Sequence, residues 1–281
     1  MEARRFAFRL FYLGGNYHGI SYQPSPDIPT IIKVVYDGLF KTDYITSPKE
    51  NAVQYAGRTD KGVNSLANTV AFTTHKPEFR ESLLNDTLPE DMCVWASAEV
   101  PIDFNPRSWA VSREYRYFLP RYGENQNLNL DAIQAVIPLF LGKHDYKNFS
   151  KPDAGKPTQS SISAIHFFET DQYYEFRFEA KSFLWMQVRK ITRALRNVGA
   201  GEFDAALITK WLDPQEPASI QPMDAEYLVL WDVKYPDNIQ FRIREGYLKR
   251  IWYNLNKERE NIERKSRGIA GFLTFKNSLL A

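Results

Sequence analysis

Tyr173-Tyr174-Glu175-Phe176-Arg177-Phe178-Glu179-Ala180-Lys181 alternates more cleanly than any other stretch of this 281-residue chain. Tyr174, Phe176, Phe178 and Ala180 point one way and Glu175, Arg177, Glu179 and Lys181 the other, the period-two pattern of a strand with one buried face. Ser161 to Glu169 precedes it and reads as its hairpin partner. Further upstream, Arg113 to Leu119 is another strand, and Leu130 to Leu141 has helical spacing that Pro138 is placed to end or bend. Lys151 to Ser161 is a polar loop with Pro152, Gly155 and Pro157. Downstream, a helix over Phe183 to Val198 is expected to bury Leu184, Val188, Ile191, Leu195 and Val198 and to stop at Gly199. Ala205 to Leu212 is a short helix stopped by Asp213-Pro214, and Glu226 to Lys234 a last long strand.

Toward the N-terminus, Phe6, Phe8, Leu10 and Tyr12 alternate in a strand ended by Gly14-Gly15. A loop rich in Pro and Gly leads to Thr30, a candidate cap for a helix whose Ile31, Val34, Val35 and Leu39 keep a 3.6-residue period. Val53 and Tyr55, then Asn68 to His75, are strand candidates; a short helix near Arg80 to Asn85 and a strand over Met92 to Val100 follow. Pro101 and Pro106 bracket polar residues, so a boundary between units 1–104 and 105–281 is expected there. The pattern predicts an α+β fold: two similar units of mostly antiparallel sheet, helices on one face, facing one another across a cleft. From Tyr247 to Arg267, Leu248, Ile251, Leu255 and Ile262 form one stripe of an amphipathic helix, docking on the body or on a partner.

Composition is that of an ordinary globular protein, 43% hydrophobic and 25% charged. Nothing approaches 18 consecutive apolar residues, so no membrane span is expected. The opening Met-Glu-Ala-Arg-Arg lacks signal-peptide architecture, which points to the cytoplasm. Cys93 is the one cysteine; it excludes an internal disulfide and reads as a small core residue in a reducing compartment. The four histidines lie far apart, and no metal site is expected. Net charge is +2, but from Asp237 onward ten Lys or Arg face five Asp or Glu, leaving the body near −3. That permits a polyanionic partner if the basic residues share a face.

Four places could carry chemistry. In Tyr55-Ala56-Gly57-Arg58-Thr59-Asp60-Lys61-Gly62-Val63-Asn64, two glycines bracket Arg-Thr-Asp between strands. Its plain reading is a charged hairpin turn, its functional reading a carboxylate presented beside a phosphate-gripping guanidinium. In Arg113-Glu114-Tyr115-Arg116-Tyr117, alternation puts Arg113, Tyr115 and Tyr117 on one face, either as sheet core or with an aromatic able to stack on a base. Arg189, Arg193 and Arg196 form a basic stripe, solvated in the plain reading; Arg189, beside Phe183 to Met186, could be half-buried and in need of a carboxylate. Phe104-Asn105-Pro106-Arg107, with Arg113 and Arg116, interleaves aromatics and arginines as single-stranded RNA requires. Lys249-Arg250 and Arg264-Lys265 either extend that surface or only solubilise the tail.

Ala56-Gly57-Arg58-Thr59-Asp60-Lys61-Gly62-Val63 resembles the signature of the TruA family of tRNA pseudouridine synthases. In the family's order come Gly15-x-Tyr17-x-Gly19, Phe104 to Arg107, Arg113 to Tyr117, Leu141-Gly142-Lys143-His144-Asp145-Tyr146-Lys147-Asn148-Phe149 and Phe183-Leu184-Trp185-Met186-Gln187-Val188-Arg189. The resemblance runs from about Phe6 to Pro236. Asn64 and Asn105 replace more usual histidines, Trp185-Met186-Gln187 stands where many members have Tyr-His-Met, and the tail matches nothing. The resemblance implies isomerisation of uridine to pseudouridine in the anticodon stem-loop of tRNA, at positions 38 to 40, with no cofactor. It implies a homodimer, with one tRNA lying across both subunits, and a catalytic cleft between the two units. Asp60 would be the nucleophile, Arg189 its charge partner, and Tyr115 the aromatic against the target base. Arg58 would help expel the uridine and grip phosphate; Arg107 and Arg113 are expected to bind substrate from their interleaving with aromatics. A carboxylate nucleophile in a dry pocket needs such an opposite charge to stay ionised. Two other readings stay open: a non-catalytic RNA-binding module of the same fold, and a glycoside-cleaving hydrolase with a second carboxylate across the cleft.

Overall fold

In a computed structural model, which describes residues 2–25 and 27–279, ten strands join in one sheet in the order β10-β4-β1-β3-β9-β5-β8-β7-β6, with β2 beside β3. In chain order these are β1 (Arg4–Tyr12), β2 (Gln54–Tyr55), β3 (Asn64–Thr74), β4 (Met92–Val100), β5 (Ser112–Pro120), β6 (Gly142–Asp145), β7 (Gln159–Glu169), β8 (Tyr173–Ala180), β9 (Leu228–Lys234) and β10 (Arg242–Ile243). The helices are α1 (Ile31–Lys41), α2 (Glu81–Asn85), α3 (Leu130–Val136), α4 (Gln187–Gly199), α5 (Ala205–Trp211) and α6 (Glu245–Leu279). The mostly antiparallel α+β expectation holds. Its two sheets are fused into one by a single parallel seam, where β3 meets β9 through Asn64 opposite Val229 and Ser65 opposite Leu230.

The seam also sets the faces. Ser65 is paired with Tyr12 on one side and Leu230 on the other, so all three project to the same face. On it, Phe8, Leu10, Val70 and Phe72 pack beneath α1 and α2, while Tyr117, Phe176, Phe178 and Leu230 pack beneath α3 and α4. Tyr174, Phe176, Phe178 and Ala180 are buried as their alternation requires. Helices were expected on one face only, and this needs correction. The other face of β1 carries Phe11 beyond Arg5, Ala7 and Arg9, and Phe11 and Cys93 on that back are covered by Ile251 with Leu248 and Leu255 of α6. Ile262, expected on the same stripe, is exposed. Burial pushes the Cys93 thiol up to about 11, in keeping with a core residue.

Local departures have local causes. α4 starts at Gln187, not Phe183, because Met186 adopts a left-handed φ of 60° that no helix continues through. Its left-handed C-terminal residue is Gly201, at φ +74°; Gly199 is instead needed for contact, since a Cβ there would lie 2.7 Å from Ile133 Cδ1. Thr30 has the extended backbone of a cap but makes no capping bond, and its Oγ1 is buried without a partner among the described residues. Arg196 is no solvated member of a basic stripe; it is buried and paired with Glu124 and Glu202. α3 stops at Val136 and a 3-10 turn over Ile137–Phe140 carries Pro138, as expected. β6 and β10, of four and two residues, are too short to show a period. Among the described residues, no helix is long and apolar enough to cross a membrane, and no group of three His, Cys, Asp or Glu is placed to hold a metal.

Candidate active site

The loop between β2 and β3 lies over the helix-bearing face, near the seam. Its start is fixed by the Ala56 N–H to Thr69 O bond of 2.9 Å and its end by a turn in which Val63 N–H donates to Asp60 O at 3.1 Å. Gly62, at φ +82°, makes that turn possible. A second loop, after β1, is pressed against it: Ile20 N–H donates to Thr59 O at 3.2 Å. A Cβ on Gly14 would lie 2.2 Å from Val63 O and one on Gly19 2.5 Å from Thr59 O, whereas Gly15 faces open space. Gly14→Ala is therefore expected to displace the loop, costing about 1–3 kcal/mol by overpacking and on the order of tenfold or more in turnover. Gly15→Ala should leave both nearly unchanged. Melting temperature and kcat of the pair check this, and equal behaviour would refute it.

Asp60, Arg58, Arg107, Arg113, Tyr115 and Arg189 all line one cleft of about 710 Å³. Asp60 Oδ2 lies 3.3 Å from Arg189 Nη1, with the two side chains 27% and 12% exposed. Arg189 sits in the first turn of α4 and also donates Nε–H to Met223 O at 2.6 Å. The ion pair thus joins a loop from the first half of the sheet to a helix from the second. Tyr115 comes from β5, is buried, and packs edge-on against Phe183 at 5.2 Å. Its hydroxyl is pushed above the ordinary phenol range, mainly by burial and further by Tyr12 and the Asp60 charge, with Arg113 opposing. The phenol is therefore neutral and able to donate at physiological pH.

The three rim arginines differ. Arg58 is half-exposed at the cleft mouth, 3.6 Å from Asp153. Arg107 is exposed at the rim. Arg113 is buried, and its guanidinium donates to Ala56 O and Arg107 O, each at 2.8 Å, and to Lys181 O. It braces the cleft wall and holds the start of the Asp60 loop, a task its sequence context did not signal. Met223 O, which takes the Nε–H of Arg189, is a backbone carbonyl and leaves no motif in the sequence. Asp153 is the second carboxylate among the described cleft-lining residues. Its hydrogen bond to Lys156 lowers its pKa, with desolvation opposing and the Lys156 and Arg58 charges adding to the lowering. The start of α6, through Leu248, Ile251 and Leu255, lies on the face of the sheet opposite the cleft.

The family profile described as tRNA pseudouridine synthase matches residues 136–236. The "tRNA pseudouridine synthase A" of Thermococcus kodakarensis is 34% identical over 278 residues, covering 98% of this chain and 99% of that one. The protein of the same name from Methanosarcina mazei is 34% identical over 257 residues, covering 91% and 93%. Among solved structures, a Cbf5-Nop10-Gar1 complex aligns with a TM-score of 0.39 at 13% identity, over 83% of this chain and 50% of that one. Identity at that level, over nearly the whole of both chains, means that this chain belongs to the TruA family of tRNA pseudouridine synthases.

Proposed function

We propose that the chain isomerises uridine to pseudouridine in the anticodon stem-loop of tRNA, at positions 38 to 40, with Asp60 as the nucleophile. The 3.3 Å contact between Asp60 and Arg189, in a cleft that Tyr115 also lines and that has ample room for a nucleoside, is the observation that carries the reading. In the reaction the N1–C1′ bond breaks, the base rotates, and C5 bonds to C1′. Every atom is retained except that the C5 proton leaves and N1 gains one. Asp60 supplies the negative charge that engages the sugar or base, and Arg189 offsets the cost of keeping that charge out of water. Tyr115 presents a neutral hydroxyl and a ring edge to the base. Arg58 and Arg107, exposed at the rim, suit phosphates of a strand whose uridine is flipped inward, and Arg113 supports binding by holding the wall they stand on.

The same reading takes residues 1–104 and 105–281 as two units contributing one side of the cleft each. It takes the active species as a cytoplasmic homodimer with one tRNA across both subunits, supported by membership of the family. tRNA carrying tritium at uridine C5 tests the function: release of label with pseudouridine formation is expected. Binding without release would leave an RNA-binding module, and free uracil would mean a hydrolase.

A further inference from the structure

We infer that Tyr12, Thr59 and Asn68 form a positioning network that aims Asp60 through the backbone of its loop. The inference rests on the reading of Asp60 as the reacting carboxylate. The Asp60–Arg189 contact is single and 3.3 Å long, longer than the roughly 2.7–2.9 Å of a strong charge-assisted bond. One such contact sets a distance but not a direction. The aim of the carboxylate has to come from the chain that carries it.

That chain is gripped from beneath. Tyr12 is fully buried at the end of β1, and its hydroxyl lies 2.8 Å from Thr59 Oγ1. The same oxygen accepts a hydrogen from Asn68 Nδ2 at 3.2 Å, and in its contact with Thr59 either hydroxyl can donate. Asn68, also fully buried, donates from Nδ2 to Gly57 O at 2.9 Å and accepts Gly57 N–H on Oδ1 at 3.3 Å. Ser65 Oγ accepts Asn68 N–H at 2.8 Å and donates to Leu230 O at 3.2 Å. The bonds thus run from β9, across the seam, to Gly57 and Thr59, the two residues flanking Arg58. Burial pushes the Tyr12 phenol up to about 12, so it remains a donor. Thr59 immediately precedes Asp60, and a rotation at Thr59 swings the carboxylate. A displacement of about 1 Å at a reacting group can cost on the order of 10²-fold. A merely stabilising polar cluster would lower the melting temperature and leave kcat alone.

Tyr12→Phe and Thr59→Val each delete one hydroxyl at nearly constant volume. Each is expected to lower kcat on tRNA about 10- to 100-fold while KM shifts less than about threefold. The double variant should fall no further than the worse single one, because both remove the same bond. Asp60→Ala is measured alongside. If it is inactive while the hydroxyl variants retain full kcat, the network is overturned and the reading of Asp60 survives. Turnover by Asp60→Ala overturns that reading and the network with it. Leu84→Ala on α2 supplies a stability control; an equal loss of kcat at an equal fall in melting temperature overturns the inference. Losses that multiply in the double variant, or that appear in KM, overturn it too. Should Tyr12→Phe not fold, the kcat and KM of Thr59→Val decide alone.

Discussion

Asp60→Ala is expected to abolish pseudouridine formation, lowering kcat by about 10⁴-fold or more, while tRNA still binds. The size follows from the proposed role: removing a nucleophile removes the covalent or charge-stabilised route itself, and residual catalysis from binding alone is small by comparison. Binding survives because it is spread over the rim. Arg58 and Arg107 are exposed there, with Lys151, Lys156 and Lys181 lining the same cleft, and phosphate contacts of this kind are individually modest and additive. Folding should be affected only modestly, since Arg189 keeps its bond to Met223 O and the Asp60 loop is held by bonds to other residues. Tritium release and filter binding with the same tRNA read the two properties separately. Surviving release would remove Asp60 from the mechanism, and lost binding would make it a docking residue.

Arg189→Ala should damage both activity and stability. It leaves the Asp60 carboxylate without its cation in a shielded cleft and Met223 O without a donor. Loss of a partner to a charged, partly buried group costs about 1–3 kcal/mol, and loss of a preorganised charge beside the reacting group costs on the order of 10²–10³-fold in kcat. The damage extends to the neighbouring segment. Ala225, two residues after Met223, packs where a Cβ on Gly62 would come within 3.3 Å, so the segment tied down by Arg189 also backs the Asp60 turn. Arg189→Lys keeps one charge but cannot make both bonds from a single ammonium. It should recover part of the stability and little of kcat. A stable, fully active Arg189→Ala protein would show that the ion pair contributes nothing.

The residues that build the sheet could be read before any coordinates, and those that brace the site could not. Phe176 and Phe178 declare a buried strand face because neighbouring positions take opposite sides of a pleat, a rule that needs only a few consecutive residues. Asp60 stood out because Gly57 and Gly62 bracket it, and its role was available through family resemblance. Arg113 looked like a substrate ligand because an arginine on a strand carries no mark of where its donors point; three protein carbonyls take them. Met186 concealed the true start of α4, since a methionine rarely adopts positive φ and a local pattern reads through it. α6 was recognisable as amphipathic, but which sheet face would receive it depended on Phe11 and Cys93 being left uncovered by every other element.

Local spacing therefore dictated strands, helices and the turn that carries the carboxylate, because burial on one side of an element is written in its own period. Bringing Asp60 against Arg189, 129 positions away along the chain, was left to the parallel contact of β3 with β9. That contact involves two residue pairs and has no periodic signature. Neither half of the sheet alone contains both residues, so the pairing of Asp60 with Arg189 is a property of the joined sheet.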